Sequence, residues 1–241
     1  MSSADEMLAN ASDKFQEAAA LALFNWGNVH MCAARKAMDG GRDPPLEEGG
    51  PPGAAIATCD KYDEVVDRLG QAESRYVAAL EVKPDFHDAS IALAQRRYER
   101  ARLLCAAAGL SGASTSGSTD TSKASEAEQE FDAACVDFTK VLSALPEEKK
   151  EEPKKEAKKE EPKKEGDETA ETAEPEPSMK AQVLVMWGNT LFEHSQMRAR
   201  LGKEWRSLLD DAVVKFKDAG CAQADIDQAL KVHRGVRAEA K

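Results

Sequence analysis

Aromatic residues make up only 5% of this chain, and no apolar run approaches the length that crosses a membrane. Positive charge is not in excess either. The net charge is -11, a field that repels phosphate backbones and anionic lipid surfaces and so argues against nucleic-acid binding. Paired cysteines are also missing. Cys32, Cys59, Cys105, Cys135 and Cys221 are odd in number, far apart and set among Ala, Val and Leu, which suits small buried hydrophobes in a reducing compartment. His30, His87, His194 and His233 fall into no HxxxH or HExxH spacing, so no metal site is expected. No P-loop, GxGxxG stretch or nucleophile elbow occurs, and no enzyme activity and no cofactor are expected. The first residues, "MSSADEMLANASDKF", carry acids where a secretory or transit signal carries basic residues, giving the expectation of a soluble, cytoplasmic protein.

Ala, Leu, Glu, Lys and Arg are abundant. Their unbranched side chains lose little freedom in a helix, so an all-α fold follows. Helical periodicity predicts seven segments: 7–37, 58–82, 85–107, 126–145, 179–201, 204–219 and 223–240. Between them lie polar tracts. "DGGRDPPLEEGGPPGAA", at about 39–56, holds four prolines and reads as an exposed insert. The Ser/Gly/Thr tract at about 109–125 is too polar to pack alone. Residues 147–178 alternate Glu and Lys with repeated prolines and read as a disordered linker. The chain thus divides into helix pairs one and two (1–146), the linker, and a third pair with a capping helix (179–241).

A repeat is hidden in the second helix of each pair. Ala72-x3-Tyr76-x2-Ala79-x4-Pro84 recurs as Ala134-x3-Phe138-x2-Val141-x4-Pro146 and again as Ala212-x3-Phe216-x2-Ala219. This spacing matches the second-helix signature of the tetratricopeptide repeat, which also asks for a small residue late in the first helix behind a bulky one. Trp26-Gly27, Leu93-Ala94 and Trp187-Gly188 supply that pair. The expected packing sets Gly27, Ala94 and Gly188 against Ala72, Ala134 and Ala212, with Trp or Leu filling the space alongside. The architecture is three tetratricopeptide-like antiparallel pairs with long insertions, the seventh helix covering the end of the stack.

"ALFNWGNVHMCAARK" and "MKAQVLVMWGNTLFE", together with "AESRYVAALEVKPDFHDA" and "LDDAVVKFKDAG", resemble the C-terminal region of plant and green-algal proteins that combine tetratricopeptide repeats with a PB1 domain. These are the Phox-type, clumped-chloroplast-like proteins. The resemblance covers nearly all predicted helices and none of the polar tracts. It implies a non-enzymatic cytosolic protein, peripheral to organelle envelopes such as the chloroplast's, acting in chaperone-linked or cytoskeleton-linked organelle positioning. In that family an N-terminal repeat block and the PB1 domain come first, and neither is recognisable here.

Tetratricopeptide grooves that hold the C-terminal carboxylate of Hsp70 or Hsp90 use converging Lys, Arg and Asn. Asn28 falls on a matching Asn position, but Phe24, Ala92, Gln182 and Met186 occupy the others. One amide does not neutralise a buried carboxylate. The first helices instead offer a stripe that would line the concave face: Asn25, Asn28, Met31 and Cys32, then Asp88, Ile91, Gln95 and Tyr98, then Gln182, Val185, Asn189 and Phe192. Amides and apolar pockets of this kind suit an extended peptide or a partner helix, giving a scaffold or co-chaperone-like adaptor. The rival reading is a structural self-assembly unit whose groove is filled by its own last helix.

Overall fold

The structure, a computed structural model, describes residues 3–38, 61–110, 119–146 and 178–239. Among them are eight α-helices and no strand: α1 (Ser3–Met38), α2 (Tyr62–Val82), α3 (His87–Ala107), α4 (Thr121–Ala144), α5 (Met179–Arg200), α6 (Arg206–Asp218), α7 (Gln223–Val232) and α8 (Arg234–Glu239). The expectation of an all-α fold holds.

Each odd-numbered helix from α1 to α5 runs antiparallel to the helix that follows. Lys83, just past α2, reaches Glu17 of α1 at 3.6 Å, while the Tyr76 hydroxyl meets Asn28 at 2.8 Å further along. In the second pair the Asp120 amide donates to the Ala108 carbonyl at 3.2 Å, and Arg97 is bound to Asp137 at 2.7 Å towards the other end. In the third, Leu191 and Phe192 share a core with Leu209 and Ala212. Successive pairs also touch. Arg96 of α3 is bonded to Glu73 of α2, Phe131 of α4 stacks on His194 of α5 at 5.1 Å, and Lys203 holds Glu128 at 2.7 Å. The cores run through the pairs and on into the next helix, around fully buried Tyr76, Phe131 and Phe138. Burying each of these rings stabilises the fold by roughly 1.5–3 kcal/mol.

The small residues do their work differently from the expectation. Gly27 and Gly188 are buried, but what fills the space above them is an aromatic ring, not an alanine. A Cβ on Gly27 would stand 2.4 Å from the Tyr76 ring, and one on Gly188 would stand 2.6 Å from Phe216. Ala94 shares a core with both Ala134 and Phe138. Ala72, Ala79 and Ala212 are fully buried alongside, Ala219 is half-buried, and Pro84 and Pro146 are exposed just after their helices. Nor does Trp26 fill an interior gap. It is half exposed, with the Arg75 guanidinium 3.6 Å above its ring, and Trp187 carries Lys215 at 4.0 Å in the same way. Trp-Gly on the first helix therefore pairs with a basic residue and an aromatic on the second, the aromatic over Gly and the cation over Trp. The middle pair, with Leu93-Ala94, uses the Arg97–Asp137 ion pair instead.

Boundaries differ at four places. α1 begins at Ser3. α2 begins at Tyr62, after a turn at Lys61, and 58–60 of the predicted segment lie outside the described residues, as do the insert at 39–56 and the linker up to 177. The tract expected to stay unpacked over 109–125 is ordered at both ends. Gly109, with φ 76°, lets the Leu110 amide turn back to the Cys105 carbonyl at 2.8 Å, which buries Leu110. Asp120 then caps α4 by accepting from the Ser122 and Lys123 amides at 3.0 and 3.1 Å, so that helix starts five residues early. Finally, the predicted seventh helix is broken at His233 into α7 and α8.

Candidate partner-binding groove

Stacking the pairs sets the free faces of α1, α3 and α5 side by side, and a groove of about 420 Å³ opens between them. Phe24, Asn28, Met31, Cys32 and Arg35 form its α1 wall. Asp88, Ile91, Ala92 and Gln95 come from α3, Met179, Gln182 and Met186 from α5, and Tyr76 of α2 closes the back. Helical spacing of i, i+3/i+4 and i+7 places each set on one face. Three methionines and a thiol make the lining soft and adaptable to differently shaped apolar side chains.

Of the stripe expected from the sequence, Asn28, Met31, Cys32, Asp88, Ile91, Gln95 and Gln182 come together here. The other five do not. Asn25 is exposed outside the groove, and Val185 and Asn189 lie half-buried away from it. Tyr98 packs on Phe131, ring centroids 6.4 Å apart, with Arg102 over its other side. Phe192 is buried edge-on against His233 at 5.2 Å, as part of the core under α8. The α5 stripe was placed one turn too far along and slightly rotated. Met179 and Met186, seven residues apart like Phe24 and Met31, were the signal that marks the true face. Arg35 was missed because its ion-pair partner is distant in sequence.

Local bonding fixes the wall. The Tyr76 phenol donates to Asn28 Oδ1, and burial pushes its pKa up to about 12, so it stays a donor at any physiological pH. Arg35 is held by Glu99 at 2.8 Å, and Glu99, almost fully buried, is bound by Arg102 at 2.9 Å as well. Glu193 of α5 has a buried carboxylate oxygen with no hydrogen-bond partner; burial pushes its pKa up against the opposing pull of Arg102 and Arg200. Among the described residues no cluster of His, Cys, Asp and Glu could hold a metal ion, and no helix is long and apolar enough to cross a membrane.

The last elements close part of the same face. The Arg234 amide donates to Gln196 at 2.9 Å, and His233 meets Ser195 at 2.9 Å, so the start of α8 sits over the C-terminal half of α5, while α7 lies against α6. No residue of α7 or α8 lines the groove between Phe24 and Met186.

Over 95% of its length the chain is 33% identical to Protein PHOX1 of Arabidopsis thaliana, across 247 residues and 31% of that protein. It is 32% identical to the HSP-interacting protein of Zea mays over 235 residues, again 95% of this chain and 31% of the relative. Protein PHOX3 of Arabidopsis thaliana is 28% identical over 231 residues, 91% of this chain and 27% of that one. The chain's homologues are thus Phox-type plant proteins, and it spans about a third of the length of these curated relatives. No protein-family model and no solved structure matches it.

Proposed function

We propose that this chain is a non-enzymatic, tetratricopeptide-like interaction module, a scaffold or co-chaperone-like adaptor that grips a segment of a protein partner in the groove between α1, α3 and α5. The observation that carries this reading is the groove itself. Apolar anchors from three successive first helices converge on one channel, with the amides of Asn28, Gln95 and Gln182 at its edge. The name of the Zea mays relative, HSP-interacting protein, supports a chaperone of the Hsp70 or Hsp90 type as the partner class. The resemblance to Phox-type proteins supports cytoskeletal partners and organelle positioning, including at the chloroplast envelope, as the setting.

The chemistry of the wall favours an amphipathic segment over a terminal carboxylate. Arg35 is the groove's one cation among the described residues, and Glu99 already neutralises it. An anion taken out of water needs converging donors and charges. Phe24, Ala92 and Met186 stand where those would have to be.

The test uses rim residues, since Asn28 also supports Tyr76. Cys32→Glu and Met179→Glu put charge at two exposed places in the apolar channel. Pull-downs from plant lysate with wild type and the double variant, both shown to melt alike, should differ, with chaperone-class proteins lost from the variant. Identical partner lists would count against the groove.

A further inference from the structure

α1 carries a second apolar face that the pairing with α2 does not use. Gly27, Met31, Ala34 and Met38 pack towards α2. Away from that seam Leu8, Phe15, Ala22 and Val29 recur every seven residues, accompanied by Ala11, Ala18, Ala19 and Ala33, with no charged side chain among them, and Val82 at the end of α2 borders the part from Leu8 to Ala19. Leu8 is 70%, Phe15 75% and Val29 65% exposed. At 36 residues α1 is far longer than α3 or α5, and every residue from 3 to 19 is exposed.

The other first helices show what this face does when covered. Aligning Gly27, Ala94 and Gly188 puts Ala22 and Val29 level with Ala89 and Arg96 of α3 and with Val183 and Thr190 of α5. All four of those are buried. Arg96 is bonded to α2, and Val183 shares a core with Phe138 of α4. The register of the stack therefore calls for a helix on α1 as well. The far end of the array does not present a matching open face, because α7 and α8 occupy it. Head-to-tail stacking of copies is thus disfavoured, and a two-fold contact of α1 with itself remains.

We propose that this face is an interface with a second copy of the same chain, the two α1 helices lying antiparallel about a two-fold axis that passes between Ala18 and Ala19. The stripe is self-complementary in that register. Phe15 stands opposite Ala22 of the second copy and Leu8 opposite Val29, so the ring meets a methyl-sized neighbour. Seven-residue spacing keeps such a seam aligned through a gentle left-handed supercoil. The face lies apart from the groove, so the dimer and the adaptor role stand or fall separately.

Sedimentation equilibrium across a broad concentration range tests it. Wild type should pass from monomer to dimer. Phe15→Ala and Ala22→Phe, both on exposed positions, should each weaken the dimer about ten-fold or more, because one removes the ring and the other doubles it. Combined, they exchange ring and methyl across the axis and should restore affinity to within about three-fold of wild type. Cys32→Glu/Met179→Glu should dimerise normally. A chain that stays monomeric at all concentrations overturns the proposal, as does a dimer indifferent to the single changes or one that the combination fails to rescue. Helicity by circular dichroism confirms that each variant is folded.

Discussion

Three glycines lie under aromatic rings: Gly27 beneath Tyr76, Gly188 beneath Phe216, and Gly235 beneath Trp205. A helical glycine ordinarily costs about 1 kcal/mol relative to alanine, so its presence mid-helix needs a reason. Here the reason is the ring. Gly27→Ala gains that propensity but forces Tyr76 from a closed core, an overpacking cost of about 1–3 kcal/mol. It should lower stability by about 1 kcal/mol in urea unfolding. Gly70, on α2, is the control: nothing lies within 4 Å of an added Cβ, so Gly70→Ala should raise stability by about 1 kcal/mol. If the two substitutions moved the midpoint in the same direction, ring-over-glycine packing would not be what holds the pairs. The Trp-Gly spelling was legible in the sequence as a packing device. Its true partner was not, because the alanine and the aromatic are one helical turn apart and either spacing satisfies the repeat.

The break between α7 and α8 rests on a neutral histidine. His233 is fully buried between Phe192 and Trp205, at 5.2 and 4.9 Å. The Ser195 hydroxyl donates to the Phe192 carbonyl at 2.6 Å, which leaves its oxygen to accept from His233 Nε2 at 2.9 Å. Nδ1 then faces the Val236 amide at 3.5 Å as an acceptor, the tautomer this network implies. Burial pushes the ring's pKa down to about 4 from an ordinary 6.5. The unfolded chain therefore binds a proton first as pH falls. Stability is complete above 6.5 and drains away towards 4, with a slope of up to about 1.4 kcal/mol per pH unit. His194, stacked on Phe131, has its pKa lowered by burial too and adds to the same trend at the α4–α5 seam. Thermal melts from pH 7 down to 4 should show the loss, and His233→Gln should flatten it; an unchanged slope would assign the effect elsewhere. Sequence periodicity could not foresee this break, since no Pro marks it and Gly235, two residues on, lies inside α8. The cause is tertiary: residues of α5 bond to His233 and Arg234. The early start of α4 is the reverse case, a local signal outvoted by composition. The Ser/Thr richness of 111–122 hid the cap at Asp120 and the buried Ala124 and Ala127 behind it.

Among the described residues most helix contacts run between neighbours in the chain, with α1 also touching α3, α3 touching α5 and α5 touching α8, so the array keeps its order whatever joins the pairs. Leu145, at the end of α4, shares a core with Val183 and Met186 near the start of α5. The two ends bridged by 147–177 are thus already close. Replacing that segment with a short Gly/Ser linker should preserve the fold and raise stability by about 1 kcal/mol, through a smaller loop-closure cost. A large fall in the melting temperature would mean that the segment itself packs. The face that forms the groove was legible from helical spacing, whereas its exact extent was not: α8 covers α5 from Phe192 onwards, and only the assembled C-terminus reveals where the channel stops. The bond from Tyr76 to Asn28 joins that channel to the seating of a helix pair. Paralogues diverging in what they grip can vary Cys32, Gln95 or Met179 one step at a time, but a change at Asn28 must pass through a weakened ancestor or arrive together with a change at Tyr76. Ligand preference should therefore drift along the rim and stall at its root.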